Sequence, residues 1–255
     1  MSKPALILVP GSFAKAELYD SFVEKVKLHG LEFEVVDLPS TIDRFPEPPA
    51  TVAIDAAAIQ AIASKYIEQG KEVHIHTHSY GGIPGTESIK GISKSAREVR
   101  GLKGGVSRIV YTTSLALPVG VCLKDGMGDN LPDFLTLINQ GDYMSTDPVA
   151  NSKLTFSGLP DEEALRLANN MSVHSVASYE SPLTYPGYRD VDVSYIVCDE
   201  DLIIPLQAQE QMIEFLKQDT GKVVDVYHIK AGHAPHASEP VLLAELFQKI
   251  AVQAS

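Results

Sequence analysis

Residues 76–82 read His76-Thr77-His78-Ser79-Tyr80-Gly81-Gly82. They follow an apolar run over Glu72–Thr77 that predicts a strand, and they precede a helix predicted over Pro84–Arg100. The heptad therefore occupies a strand-to-helix junction. It fits the G-x-S-x-G elbow except that Thr77 stands at the first glycine position. Small residues suit such a turn because the strand must reverse sharply and lift the Ser79 hydroxyl above the sheet. Gly81 and Gly82 allow that close approach, and Thr77 is a bulkier substitute.

On either side of the elbow, short apolar runs alternate with longer amphipathic stretches. Strands are predicted over Ala5–Val9, Phe33–Val36, Val106–Thr113, Val193–Cys198 and Val223–Ile229. Helices are predicted over Tyr19–His29, Thr51–Gln69, Leu206–Lys217 and Val241–Val252, with Gly30 and Gly70 as stops. The proline-rich segment Ser40–Ala50 must be loop. Repeated β–α–β spacing implies an α/β fold with a mostly parallel, doubly wound sheet. From Leu115 to about Asp190 the rhythm breaks. The stretch offers turn signals (Gly126, Gly128, Pro132, Gly141, Pro148), one helix over Asp161–Asn170 and no evident strand. A segment this long is more than a connector, and it reads as an inserted, mainly helical cap over the carboxyl edge of the strands. The expected organisation is one structural domain, with residues 1–114 and 190–255 as core and 115–189 as cap.

The 255 residues carry 33 acidic and 21 basic side chains, a net charge of −12, and 44% are hydrophobic. That composition excludes a disordered chain, and the acidic balance argues against binding nucleic acid. Two cysteines, Cys122 and Cys198, cannot build a disulfide framework and point to a reducing compartment. No apolar stretch approaches a membrane span, and Met1-Ser2-Lys3-Pro4 with Ala5–Val9 lacks the pattern of a secretory signal. The expected setting is the cytoplasm, with no membrane partner.

A serine hydroxyl is a weak nucleophile; it needs a base, and the base needs an orienting acid. In elbow proteins their chain order is serine, acid, histidine. Tyr195-Ile196-Val197-Cys198-Asp199-Glu200-Asp201 places carboxylates just after one strand, and Lys230-Ala231-Gly232-His233-Ala234-Pro235-His236 places histidines after the next. Spacing leaves Asp199 and Asp201 both open as the acid. Acyl-transfer chemistry also needs backbone N–H donors for a developing oxyanion. One is expected from Tyr80 and a second from the Gly11–Phe13 turn, since Pro10 has no N–H. His74, His76 and His78 alternate on one strand face, and His233 and His236 form an H-x-x-H. Without H-E-x-x-H or a cysteine cluster, the strand histidines read as core residues with local hydrogen bonds rather than metal ligands, and His78, directly before Ser79, reads as part of the elbow. His29, His174 and His228 carry no signal.

With these residues placed, the chain resembles the α/β-hydrolases. More narrowly, it is similar to their small-cap group of plant methylesterases, hydroxynitrile lyases and fungal or bacterial hydrolases. The resemblance spans nearly the whole chain. It is carried by Leu8–Phe13, His78–Gly82, Val110–Pro118, Ser181–Tyr185, Cys198–Pro205 with Gln209, and Gly232–Pro235. It implies Ser79 as nucleophile, His233 as base, Asp201 as acid (two residues before Ile203-Ile204-Pro205), and the N–H groups of Ser12 and Tyr80 as oxyanion donors. Pro10 replaces the histidine usual in the family's first turn. The implied activity is hydrolysis of a carboxylic ester or lactone of a small apolar molecule, without metal or cofactor. Similar lyases use a threonine in the first turn and a lysine beside the histidine, where this chain has Gly11 and Ala234. A lyase, or a ligand-binding relative that does not turn over, is the alternative. The expected substrate pocket comprises Phe13, Leu115–Leu117, Phe134, Leu137, Phe156, Met171, Tyr179 and Tyr185. The expected partner is a small-molecule substrate, and a homodimer is compatible.

Overall fold

The computed structural model describes residues 3–127 and 131–253; Gly128, one of the expected turn signals, lies outside them. The strands are β1 (Ala5–Val9), β2 (Phe33–Val35), β3 (Glu72–Ser79), β4 (Gly105–Ser114), β5 (Leu135–Ile138), β6 (Tyr143–Thr146), β7 (His174–Ser175), β8 (Asp192–Cys198) and β9 (Val224–Ile229). The α-helices are α1 (Asp20–Lys27), α2 (Val52–Ile67), α3 (Gly82–Glu87), α4 (Lys94–Glu98), α5 (Pro148–Thr155), α6 (Asp161–Asn169), α7 (Val176–Glu180), α8 (Leu206–Thr220), α9 (Pro235–Ser238) and α10 (Pro240–Ala251).

A six-stranded sheet in the order β2-β1-β3-β4-β8-β9 is parallel throughout. Every residue of β1 and β4 is buried, which explains why β1 reads as an unbroken apolar run rather than an alternating one. On one face, Val52, Ile59, Ala63 and Ile67 of α2 join Ile213 and Leu216 of α8 over the sheet. On the other, Phe22 of α1 and Phe247 of α10 meet edge-to-face at 5.2 Å. The chain leaves β1 towards β2 and then crosses back to β3, so the winding reverses between β1 and β3. Open α/β sheets bind ligands at this reversal, outside the strand carboxyl ends. The turn after β1 and the elbow after β3 both open onto it.

Three expectations are corrected. The helix over Pro84–Arg100 is two, α3 and α4. Gly91 adopts a left-handed φ of 74° between them, and the Ser93 hydroxyl caps α4 by accepting from the Ala96 N–H. Nor is the segment 115–189 free of strands: β5 pairs antiparallel with β6, and β6 with β7. These strands are two to four residues long, and β7 lies far from its partner in sequence, so no periodicity announces them. Helix α5 was not expected either, although Asp147 caps it by accepting from the Ala150 N–H at 2.8 Å. Helix α6 lies within a residue of expectation, and Ala164 and Ala168 on it pack with Phe156 against Ala234, next to His233.

Close backbone approach around the elbow leaves no room for side chains. A Cβ at Gly82 would sit 2.1 Å from the Leu115 carbonyl oxygen and 2.6 Å from Ser114 Oγ. Gly82→Ala is therefore expected to destabilise the fold by about 3 kcal/mol or more through overpacking. A urea-unfolding midpoint unchanged from wild type would contradict this packing.

Candidate active site

Ser79 closes β3 with a φ of 53°, a left-handed conformation that a non-glycine residue holds only under constraint. The constraint is visible: the Ser79 carbonyl accepts from the Leu115 N–H at 3.0 Å and from the Ser114 hydroxyl at 2.8 Å. A Cβ on Gly81 would lie 2.4 Å from the Val9 carbonyl oxygen, so that position also requires glycine. Thr77, the departure from the motif, donates its hydroxyl to Ser114 Oγ at 2.9 Å. Its methyl is received by Gly85 on α3, where a Cβ would come within 2.5 Å of it. The space a glycine would leave on the strand is here supplied by a glycine on the helix.

Ser79 Oγ lies 3.0 Å from His233 Nε2, and His233 Nδ1 lies 2.7 Å from Asp201 Oδ2. These partners assign the tautomer: Nδ1–H donates to the carboxylate, and Nε2 accepts from the serine hydroxyl. Asp201 also accepts from the Thr113 hydroxyl and from the N–H groups of Ile203 (2.7 Å) and Ile204 (3.0 Å). Burial pushes its pKa up, but the His233 charge and these hydrogen bonds outweigh that and hold the carboxyl below its ordinary value. Asp199, which spacing left open, turns outward instead and pairs with the half-exposed His228 at 2.8 Å. His233 follows β9, Asp201 follows β8 and Ser79 ends β3, so adjacent parts of one sheet edge bring them together.

The turn after β1 faces the elbow. The Gly11 N–H donates to Tyr19 Oη at 3.2 Å, and the Phe13 N–H donates to His174 Nδ1 at 3.2 Å. Between them the Ser12 N–H has no acceptor among the described residues, and the same holds for the Tyr80 N–H. Those are the two donors expected for an oxyanion. A Cβ at Gly11 would approach Ser79 Cβ to 3.0 Å, so a side chain there would crowd the hydroxyl.

The histidines of β3 behave differently from one another. The Tyr19 hydroxyl donates to His78 Nδ1 at 2.8 Å, and His78 Nε2–H donates to the His233 carbonyl at 2.6 Å. Burial lowers the His78 pKa to about 3, keeping the ring neutral in this chain of bonds. His76 corrects the expectation of local hydrogen bonding: neither ring nitrogen has a partner among the described residues, and the ring packs on Phe247 at 4.0 Å. His236 stacks on Tyr19 at 4.1 Å. His174, which carried no signal, is buried between Phe13 and Tyr80. Nothing local could have revealed it, because its partner lies 161 residues away.

A cavity of about 750 Å³ opens above Ser79 and His233. Phe13, Leu115, Leu117, Phe134, Phe156, Met171 and Tyr179 line it as expected. Leu137 and Tyr185 do not. Leu137 shares a face of β5 with Leu135 but is 51% exposed, whereas Leu135 is buried and lines the cavity. Tyr185 donates its hydroxyl to Asp190, away from the cavity. Sequence reasoning missed Leu202 and Ile203 of the loop after β8, and Met212 and Phe215 of α8. The helical spacing of Met212 and Phe215 reads equally well as core, and Leu202 and Ile203 carry no pattern in their loop.

The pattern of the alpha/beta hydrolase family matches residues 6–246. A probable hydrolase, R7, of a Phoma species is 34% identical over 251 residues, which are 98% of this chain and 99% of the relative. A pyrethroid hydrolase from Sphingobium faniae superposes with a TM-score of 0.74 at 19% identity, over 98% of each chain. Polyneuridine aldehyde esterase superposes with a TM-score of 0.75 at 17% identity, over 98% of this chain and 99% of the esterase. Among the described residues no helix is long and apolar enough to cross a membrane.

Proposed function

The chain belongs to the alpha/beta hydrolase family, and from that premise we propose that it is a serine hydrolase cleaving a carboxylic ester or lactone of a small, largely apolar substrate. The observation that carries this reading is the unbroken line of hydrogen bonds from Ser79 Oγ through His233 to Asp201 at the floor of an apolar cavity. The cavity volume falls in the range of small-molecule sites. The esterase and the pyrethroid hydrolase that share its fold are named for chemistry of this kind.

Ser79 Oγ attacks the acyl carbonyl carbon while His233 Nε2 takes its proton. Asp201, bonded to Nδ1–H, holds the ring and stabilises the imidazolium without itself taking the proton. The carbonyl oxygen becomes an oxyanion received by the Ser12 and Tyr80 N–H groups. His233 then returns the proton to the leaving alkoxide, giving an alcohol and an acyl-Ser79. Water, deprotonated by His233, attacks that ester; the acyl–Oγ bond breaks as His233 returns the proton to Ser79 Oγ, and the acid is released. In a lactone the leaving oxygen stays attached, so the product is one hydroxy acid.

The lyase alternative has little to stand on at this site. Position 234 is an alanine buried against the cap helices rather than a lysine, and position 11 is a glycine.

A fluorophosphonate probe tests the reading. Intact protein is expected to gain one adduct, mapped to Ser79, and to hydrolyse short-chain aryl esters with prior formation of an acyl-enzyme. No adduct and no esterase activity would leave a binding protein on this fold. Release of carbonyl products without an acyl-enzyme would favour carbon–carbon cleavage.

A further inference from the structure

We propose that His174, a cap residue, is the positioning residue of the oxyanion site, holding the turn after β1 so that the Ser12 N–H faces the substrate. The proposal rests on the esterase reading above. The amides flanking Ser12 are both engaged, Gly11 N–H with Tyr19 Oη and Phe13 N–H with His174 Nδ1. Pinning both neighbours fixes the direction of the free N–H between them.

Phe13 is held at a φ of 62°, a left-handed conformation costly for an aromatic residue. Three bonds hold the turn there, and all three come from the cap side. They are His174 Nδ1 on the Phe13 N–H, the Ser172 N–H on the Phe13 carbonyl at 2.7 Å, and the Tyr179 hydroxyl on Ser12 Oγ at 2.6 Å. The His174 ring also lies 4.7 Å, edge-on, from Tyr80, which carries the other expected donor. One side chain thus touches both halves of the oxyanion site.

Its own tautomer is set from behind. His174 Nε2–H donates to Ser178 Oγ at 2.9 Å, and the Ser178 hydroxyl is committed to the Ser175 carbonyl at 2.8 Å. Nδ1 is therefore left as a bare acceptor for Phe13. Burial lowers the His174 pKa to about 3, so the acceptor persists across the working pH range. The sequence order of elbow, acid and histidine says nothing about this residue; only the packing of β7 against the first turn does.

The test separates positioning from folding. His174→Phe keeps a ring of similar size and removes the acceptor. It is expected to lower kcat on an aryl ester by roughly 100-fold with KM within about twofold, as for loss of part of an oxyanion site. His174→Asn, which presents Oδ1 near the position of Nδ1, is expected to recover most of that loss. A trifluoromethyl ketone supplies the readout a structural role would not give. Ser79 Oγ adds to its carbonyl carbon, His233 takes the proton, and the ketone oxygen becomes an oxyanion. Its affinity should fall by the same factor as kcat/KM in His174→Phe, while the matching alcohol, which forms no oxyanion, binds unchanged.

Ser178→Ala, which releases Nε2 and with it the tautomer, should lower kcat by about fivefold to tenfold. It decides the matter if His174→Phe does not fold. Wild-type kcat in either variant, or parallel loss of ketone and alcohol binding, overturns the role of His174 while Ser79 labelling and turnover of the wild type leave the esterase reading intact. A wild type that takes no adduct overturns both.

Discussion

Ser79→Ala is expected to lower kcat on a short-chain aryl ester by about 10⁶-fold, because without the hydroxyl no acyl-enzyme forms and only binding and oxyanion contacts remain. His233→Ala should cost about as much, since members of such a relay act as a unit. Asp201→Asn is expected to cost about 10⁴-fold. Asparagine keeps the shape, but its carboxamide can present an N–H to His233 and favour the tautomer in which Nε2 no longer accepts from Ser79. Asp201 is held by Thr113 and by the N–H groups of Ile203 and Ile204, so the variant side chain stays in place and the effect is on protonation. Asp199→Asn should leave kcat within about twofold, because the Asp199 carboxylate pairs with His228 at the surface rather than with His233. The measurement is single-turnover and steady-state hydrolysis with each purified variant. Substantial activity in Ser79→Ala, or an effect of Asp199→Asn as large as that of Asp201→Asn, would defeat the assignment.

The second large effect is on stability in mild acid. His74, His76, His78, His174 and His236 are all buried, and burial lowers the pKa of each. For His74, His78 and His174 the folded values are about 3. In the unfolded chain each titrates near the ordinary value of about 6.5. The unfolded state therefore binds more protons once the pH drops below that value. The stability tied to these neutral rings is present above pH of about 6.5 and is lost as the pH falls towards the folded pKa values. Each ring that stays neutral in the folded chain contributes on the order of 1 kcal/mol between pH 7.5 and 5.5, so together they remove several kcal/mol. That is comparable to the whole stability of many domains, about 5–15 kcal/mol.

Asp55 opposes the trend. Burial raises its pKa to about 6, so its contribution is present at low pH and lost as pH rises through about 6. On acidification from pH 7.5 to 5.5 it restores only about 1 kcal/mol. Urea unfolding at pH 7.5, 6.5 and 5.5 should show the midpoint falling steeply, well above the range where surface carboxylates titrate. His76→Leu should flatten this slope by one proton, because the ring lies on Phe247 and its nitrogens have no partners to lose. A midpoint independent of pH over that interval would contradict burial of neutral histidines.

The parallel sheet was legible because its inner strands are buried on both faces. Ala5–Val9 and Val193–Cys198 read as continuous apolar runs, and Thr51–Gln69 repeats its alanines and isoleucines at helical spacing. The elbow was legible for a similar reason: Ser79, Gly81 and Gly82 answer a local backbone demand, and local demands leave local residues. Even the departure at Thr77 could be noticed from the chain, but not the Gly85 that accommodates it on the facing helix.

The cap was less legible. Strands of two to four residues leave no measurable alternation, and β7 finds its partner only after the chain has folded back through two helices. Leu137 and Tyr185 look as suitable for an apolar pocket as Phe134 and Tyr179; one lies exposed further along β5 than the buried Leu135 and the other is held by Asp190. Composition, short-range pattern and motif thus determine the layered α/β architecture, the serine at the strand end, and the order in which acid and histidine follow. Which of two neighbouring aspartates meets His233, which amide of the first turn stays free, and that His174 reaches back to Phe13 are decided only by the folded chain. Those facts depend on contacts between residues tens to more than a hundred positions apart, and such contacts impose no spacing on the residues around them.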